Sequence, residues 1–207
     1  TNTITIQGES GDSSLAQIYW ANNNFDNNVI SFSNIKGITV KDLYLRHNNQ
    51  NYSSNITDCD SVLFTNCILD RFQLHFNSST GVSLKNNYFK NNYGNLSVSF
   101  VDNAANNEQL SINITNNVIG DPTSTSHGYI DINKNYSNSF KVLIDNNIFS
   151  QGGGVSSNLY SNYGNSDTLI VSNNKSIYLN DSYTRSYYIT GTYSNTNRGY
   201  IIFKNND

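Results

Sequence analysis

The sequence predicts an all-β fold, a solenoid of short parallel strands. Three observations carry that expectation. The composition is poor in helix formers and in charge, one short apolar pattern recurs seven times, and an Asn or Asp follows each copy.

Asn, Ser and Thr supply 39, 28 and 15 of the 207 residues, whereas Lys and Arg number 12 and Asp and Glu 15. Asn, Ser, Thr, Tyr and Ile favour turns or strands over helix. The length suits one domain with a sizeable core. The 15 Tyr and 10 Phe are regularly placed, which argues against a disordered Asn-rich tract. Twelve scattered cations on a chain of net charge -3 do not form a footprint for a phosphate backbone, so no nucleic-acid partner is expected. No apolar run approaches the roughly 20 residues of a membrane helix, so no membrane insertion is expected either. The chain opens on Thr1 without a leader pattern, and the expectation is a processed or excised segment.

The pattern is two apolar residues one apart, a polar residue, and then Asn or Asp. It reads Ile38 and Val40 before Asp42, Val62 and Phe64 before Asn66, and Val82 and Leu84 before Asn86. It continues with Ile112 and Ile114 before Asn116, Val142 and Ile144 before Asn146, Leu169 and Val171 before Asn173, and Ile201 and Phe203 before Asn205. The interval between copies varies while the strand does not, as in a solenoid whose loops carry insertions. A second apolar pair follows each turn: Tyr44-Leu45, Ile68-Leu69, Tyr88-Phe89, Val118-Ile119 and Ile148-Phe149. Third strands are read at 72–76, 96–100 and 129–132. Three short strands per turn of chain describe a parallel β-helix, its coils about 4.8 Å apart.

Period-2 alternation places Asp42, Asn66, Asn86, Asn116, Asn146, Asn173 and Asn205 on the inward face as a structural ladder. An inward Asn must satisfy both its carbonyl and its amide, and a stack of them lets each bond its neighbours. Asn116→Ala is therefore expected to strand partners on both sides, whereas Asn91, read as outward, is expected to tolerate change. The column after it, Asn87, Asn117, Asn147, Asn174 and Asn206, suits the left-handed backbone region that Asn tolerates, a reading that Leu43 and Cys67 break in the first two coils.

These residues resemble the right-handed parallel β-helix repeat family, the pectate-lyase-like superfamily, over about residues 28–207. The openings Ile4 to Gly8 and Ser31 to Ile38 also look like first turns of such domains. The resemblance implies a single-stranded right-handed parallel β-helix of about seven to eight coils with an asparagine ladder. Residues 1–27 would form an N-terminal strand and cap, and 28–207 the β-helix. Leu15, Ile18, Tyr19 and Trp20 fit either a short capping helix or one more strand. The family spans polysaccharide lyases, glycosidases, phage tailspikes and adhesin-like surface proteins, so fold alone does not settle function.

Enzymes of this kind resemble one another in setting carboxylates, often with Arg or Lys, on one outward face, and glycoside hydrolysis needs two carboxyls at a defined separation. The densest candidate cluster is Arg46, Asp58, Asp70 and Arg71, with His47, Asp60 and His75 nearby in sequence. Coil alignment puts Arg46, Asp70 and Lys90 in one column and His47, Arg71, Asn91 and Asp121 in the next. Read as chemistry, Arg71 or His47 would be a base and the Asp residues ligands for calcium or substrate. The competing reading is a solvated ladder of alternating sign, each pair worth roughly 0–1 kcal/mol, and no catalytic residue is assigned. His47, His75 and His127 show no metal-ligand spacing, and Asp58 with Asp60 falls short of a calcium shell, so no metal or cofactor is expected.

Cys59 and Cys67 flank one strand, too far apart to bridge unless the chain folds back, so buried free thiols are expected. Eight Asn-X-Ser/Thr sequons, at Asn51, Asn55, Asn77, Asn95, Asn113, Asn135, Asn174 and Asn180, match the number that chance yields at this composition and do not by themselves indicate glycosylation. In the stretch 178–200, Tyr183, Tyr187, Tyr188 and Tyr193 offer flat apolar faces with polar tips, candidates for ligand binding or cover for the last coil.

The expected function is a non-catalytic extracellular module of an adhesin-like or fibre-forming cell-surface protein, with glycans or other surface molecules as partners. The alternatives are a polysaccharide lyase or glycoside hydrolase working along the β-helix face and a phage tailspike receptor-binding segment. The terminal strand at 201–203 carries no capping segment, which leads to the further expectation of end-to-end self-association, with Thr3 to Ile6 as donor strand.

Overall fold

The computed structural model describes residues 3–9, 11, 13–20, 28–47, 53–91, 96–102, 110–121, 128–134, 140–150, 154–160, 168–177, 187–192 and 200–207. Among them there is no helix, hence none long and apolar enough to cross a membrane. Strands recur in threes. The first row is β1 (Thr3–Gln7), β2 (Gln17–Trp20) and β3 (Asn28–Ser33), and the second is β4 (Gly37–Lys41), β5 (Tyr44–His47) and β6 (Ser53–Thr57). Then follow β7 (Val62–Thr65), β8 (Ile68–Asp70) and β9 (Gln73–Asn77), and β10 (Val82–Lys85), β11 (Tyr88–Lys90) and β12 (Leu96–Asp102). The fifth row is β13 (Leu110–Thr115), β14 (Val118–Ile119) and β15 (Tyr129–Lys134), and the sixth is β16 (Phe140–Asp145), β17 (Ile148–Ser150) and β18 (Gly154–Tyr160). The last strands are β19 (Thr168–Ser172), β20 (Lys175–Ile177), β21 (Tyr187–Thr192) and β22 (Tyr200–Lys204).

Each strand pairs in parallel with the strand three places on in the chain. The result is three parallel sheets, β1-β4-β7-β10-β13-β16-β19-β22, β2-β5-β8-β11-β14-β17-β20 and β3-β6-β9-β12-β15-β18-β21. Parallel strands cannot be joined by a tight hairpin, and here the other two strands of the row make the crossing. This arrangement is compatible with a parallel β-helix. The segment that fits either helix or strand is strand, since β2 pairs Ile18 with Leu45 and Trp20 with His47.

The apolar pairs of the repeat face inward. Val40, Phe64, Leu84, Ile114, Ile144 and Val171 are buried in consecutive rows of the first sheet, joined by Leu45, Leu69, Phe89, Ile119 and Phe149 from the second. The third sheet adds Ile56, Leu74, Val98 and Ile130, and Phe76 and Phe100, whose rings stack at 4.9 Å. Each such side chain stabilises the fold by about 1.5–3 kcal/mol, before the entropy of ordering the chain is subtracted.

The corner between the first and second sheets differs from the sequence expectation. Asp42, Asn66, Asn86, Asn116, Asn146, Asn173 and Asn205 take φ of 52–58°, the left-handed region, and from Asn66 onward they are exposed. Leu43, Cys67, Asn87, Asn117, Asn147 and Asn174 are the buried residues of that corner. The two columns exchange roles because a left-handed residue breaks the pleat, so alternation does not carry across the turn. The outward column still bonds along itself: Asn66 Nδ2 donates to Asp42 Oδ1 at 3.1 Å, Asn86 Nδ2 to Asn66 Oδ1 at 3.2 Å and Asn146 Nδ2 to Asn116 Oδ1 at 2.7 Å.

The inward asparagines bond one way. Asn117 Oδ1 accepts from Asn87 N and Nδ2, Asn147 Oδ1 from Asn117, Asn174 Oδ1 from Asn147, and Asn206 Oδ1 from Asn174. Each Nδ2 also donates to a strand carbonyl of the row before, as Asn117 does to Leu84 O and Asn147 to Ile114 O. Cys67 stands at the N-terminal end of the file, its Sγ donating to Val40 O and its N–H to Asn87 Oδ1. Cys59 is its counterpart at the corner between the third and first sheets, its N–H donating to Ser79 Oγ. Both thiols are free and buried.

Candidate functional site

The candidate site stands on the outer face of the second sheet. β5, β8 and β11 set Arg46, Asp70 and Lys90 side by side in three successive rows, and β2 adds Tyr19 beside Arg46. Asp70 is not solvated. Its side chain is 5% exposed, and it accepts a 2.6 Å hydrogen bond from Tyr44 Oη and a 2.8 Å one from Asn91 Nδ2. Arg46 Nε and Lys90 Nζ lie 3.6 and 3.8 Å from Asp70 Oδ2, beyond hydrogen-bond range. Each cation also lies over a tyrosine ring, Arg46 5.8 Å from the centroid of Tyr19 and Lys90 4.9 Å from that of Tyr44.

The backbone explains why these groups meet. Alternation sends Tyr44 and Arg46 outward from β5 while Leu45 is buried between them. Asn91 takes φ of 56° just after β11, and this turn returns its side chain toward Asp70. Burial opposes the charge on Lys90, but the Tyr44 hydroxyl and the Asp70 carboxylate outweigh it and raise its pKa. Burial, with Asp121 nearby, pushes the Tyr88 hydroxyl up as well.

The remaining sequence candidates are dispersed. Arg71, half-buried, sits on the turn after β8 with φ of 59°, its N–H donating to Lys90 O. Asp58 is exposed on the turn after β6, a different corner, with φ of 51°. Near it Asp60 accepts from Thr80 Oγ1 at 2.9 Å. His75 lies on β9 in the third sheet, 3.4 Å from Gln73 Oε1, and burial lowers its pKa. His47 is buried in the second sheet. Tyr183, Tyr193 and His127 lie outside the described residues, and so do the side chains of Tyr187 and Tyr188, whose backbone begins β21. Among the described residues no group of three His, Cys, Asp or Glu could hold a metal ion.

Tyr44 is the member of the site that reading the sequence misses. It reads as half of an apolar pair, and its hydroxyl acquires a role only when β8 lies beside β5 with Asp70 opposite Arg46. Compared with protein-family models, with curated proteins and with solved structures, the chain matches none.

Proposed function

We propose that the chain is a right-handed parallel β-helix whose buried asparagines form the asparagine ladder of that fold. In this reading it serves as a non-catalytic, extracellular, rod-like module of a cell-surface or fibre protein. Right-handedness is supported by the near-universal hand of parallel strand–crossover–strand units. The observation that carries the functional reading is the direction in which polar chemistry is used. The asparagine amides bond from row to row along the stack, and the most buried candidate carboxylate, Asp70, gives its two oxygens to Tyr44 and Asn91. A carboxylate committed in this way is a poor partner for the two-carboxyl chemistry of glycoside cleavage. The test is incubation with a panel of uronic-acid and neutral polysaccharides. No release of unsaturated or reducing ends is expected, and release of either would overturn the non-catalytic reading.

A further inference from the structure

We infer that the strip of Tyr19, Arg46, Lys90 and Tyr44 on the outer face of the second sheet is a binding site for an acidic glycan, one bearing carboxylate or sulfate groups. The inference rests on the reading of the chain as a surface module and adds to it a place and a ligand chemistry. It begins with Asp70. Because Tyr44 and Asn91 already occupy this carboxylate at 2.6 and 2.8 Å, it positions Arg46 and Lys90 without consuming their hydrogen-bond donors. Arg46 carries five N–H donors and Lys90 three, more than Asp70 and Tyr44 can accept.

Exposure is arranged to match. The side chain of Arg46 is 45% exposed, and Tyr19, over which it lies, is 51% exposed. A guanidinium held on an aromatic face has lost part of its freedom before a ligand arrives, so less entropy is lost on binding. Arg46 and Lys90 are two strand steps apart, roughly 9–10 Å along the stack. An extended polymer lying along the stack therefore meets both cations in turn.

The ligand class follows from the combination. A nucleic-acid backbone calls for a larger cluster of cations than two. A sugar ring presents an apolar face that stacks on a tyrosine, while its carboxylate or sulfate reaches the paired donors of an arginine fork. Tyr19 beside Arg46 provides both contacts in adjacent rows.

The test is affinity electrophoresis of the whole chain through gels containing polygalacturonate, dextran sulfate or neutral dextran. Retardation by an acidic polymer and not by dextran is expected, and the two acidic gels separate a carboxylate ligand from a sulfated one. The double variant Arg46→Gln, Lys90→Gln should bind about tenfold more weakly. Tyr19→Ala, which keeps both cations, should also weaken binding. Lys41→Gln with Lys85→Gln removes the same charge from the first sheet and should leave retardation unchanged. The inference is overturned if neither acidic polymer retards the chain, if dextran does so equally, or if the two double variants lose binding alike. Loss of retardation without cleavage products leaves the module reading intact, whereas cleavage products defeat that reading whatever the gels show.

Discussion

Asn117 Oδ1 accepts both the backbone N–H and the side-chain Nδ2 of Asn87, at 2.9 and 3.1 Å. One buried oxygen thus satisfies two donors of the row before it. The same pairing recurs between Asn117 and Asn147, Asn147 and Asn174, and Asn174 and Asn206. Buried polar groups are tolerated when every one is paired, and this corner meets that condition by repetition.

The two asparagines of each turn should differ sharply in mutational cost. Asn117→Gly leaves the Asn87 N–H and the Leu84 carbonyl without their partner and should cost about 2–4 kcal/mol. Asn116→Gly keeps a backbone at φ 58° that glycine adopts freely, and its exposed amide is replaced by water, so the cost should stay within about 1 kcal/mol. Urea melts of the two variants decide it, and equal midpoints would contradict the inward placement of Asn117.

The one-way bonding also predicts asymmetric loosening. Asn147→Ala removes the acceptor of the Asn117 N–H, while the Asn147 N–H keeps Asn174 Oδ1 as its own acceptor. Hydrogen exchange should therefore accelerate at Asn117 on the N-terminal side more than at Asn174 on the C-terminal side. Equal acceleration on both sides would show that the file does not act in one direction.

Burial pushes the Cys67 thiol from an ordinary value of 9.0 up to about 11, backbone N–H groups, which favour the thiolate, offsetting part of the effect. The folded chain therefore holds this proton more tightly than the unfolded chain. Stability from this group is intact below about pH 9 and falls as pH rises from there to about 11, by about 2–3 kcal/mol in all. Burial raises the Cys59 thiol in the same direction. In urea melts from pH 8 to 11, Cys67→Ala should lose less stability across this range than the parent. Parallel pH profiles would refute it.

Asp70→Asn keeps an acceptor for the Tyr44 hydroxyl but turns an amide toward a group of donors that includes Asn91, Arg46 and Lys90. An added buried donor without an acceptor costs about 1–3 kcal/mol. Arg46→Gln, at the exposed edge of the same cluster, should change stability by less than about 1 kcal/mol. Thermal melts in low and moderate salt compare the two, and a negligible loss for Asp70→Asn would mean that the carboxylate does not organise the site.

The strands were legible in the sequence because each is decided locally. Period-2 alternation over Val82 to Leu84 or Ile112 to Ile114 needs only the neighbouring residues, and the recurrence of the pattern implies the stacking that the sheets show. The alignment of Arg46, Asp70 and Lys90 was legible for the same reason, since register follows once the apolar positions are superposed.

What only the tertiary structure decided lies at the turns and between rows. Asn116 and Asn117 are chemically identical neighbours, and nothing local says which adopts the left-handed conformation. The choice is made by row-to-row contacts, because only the residue after the turn reaches both the carbonyl of the preceding strand and the next asparagine. Likewise, the commitment of Asp70 depends on Tyr44, 26 residues earlier, and on Asn91, 21 residues later. Alternation is a property of one strand and can be read along the chain, whereas hydrogen bonds between rows exist only once the chain has returned past itself.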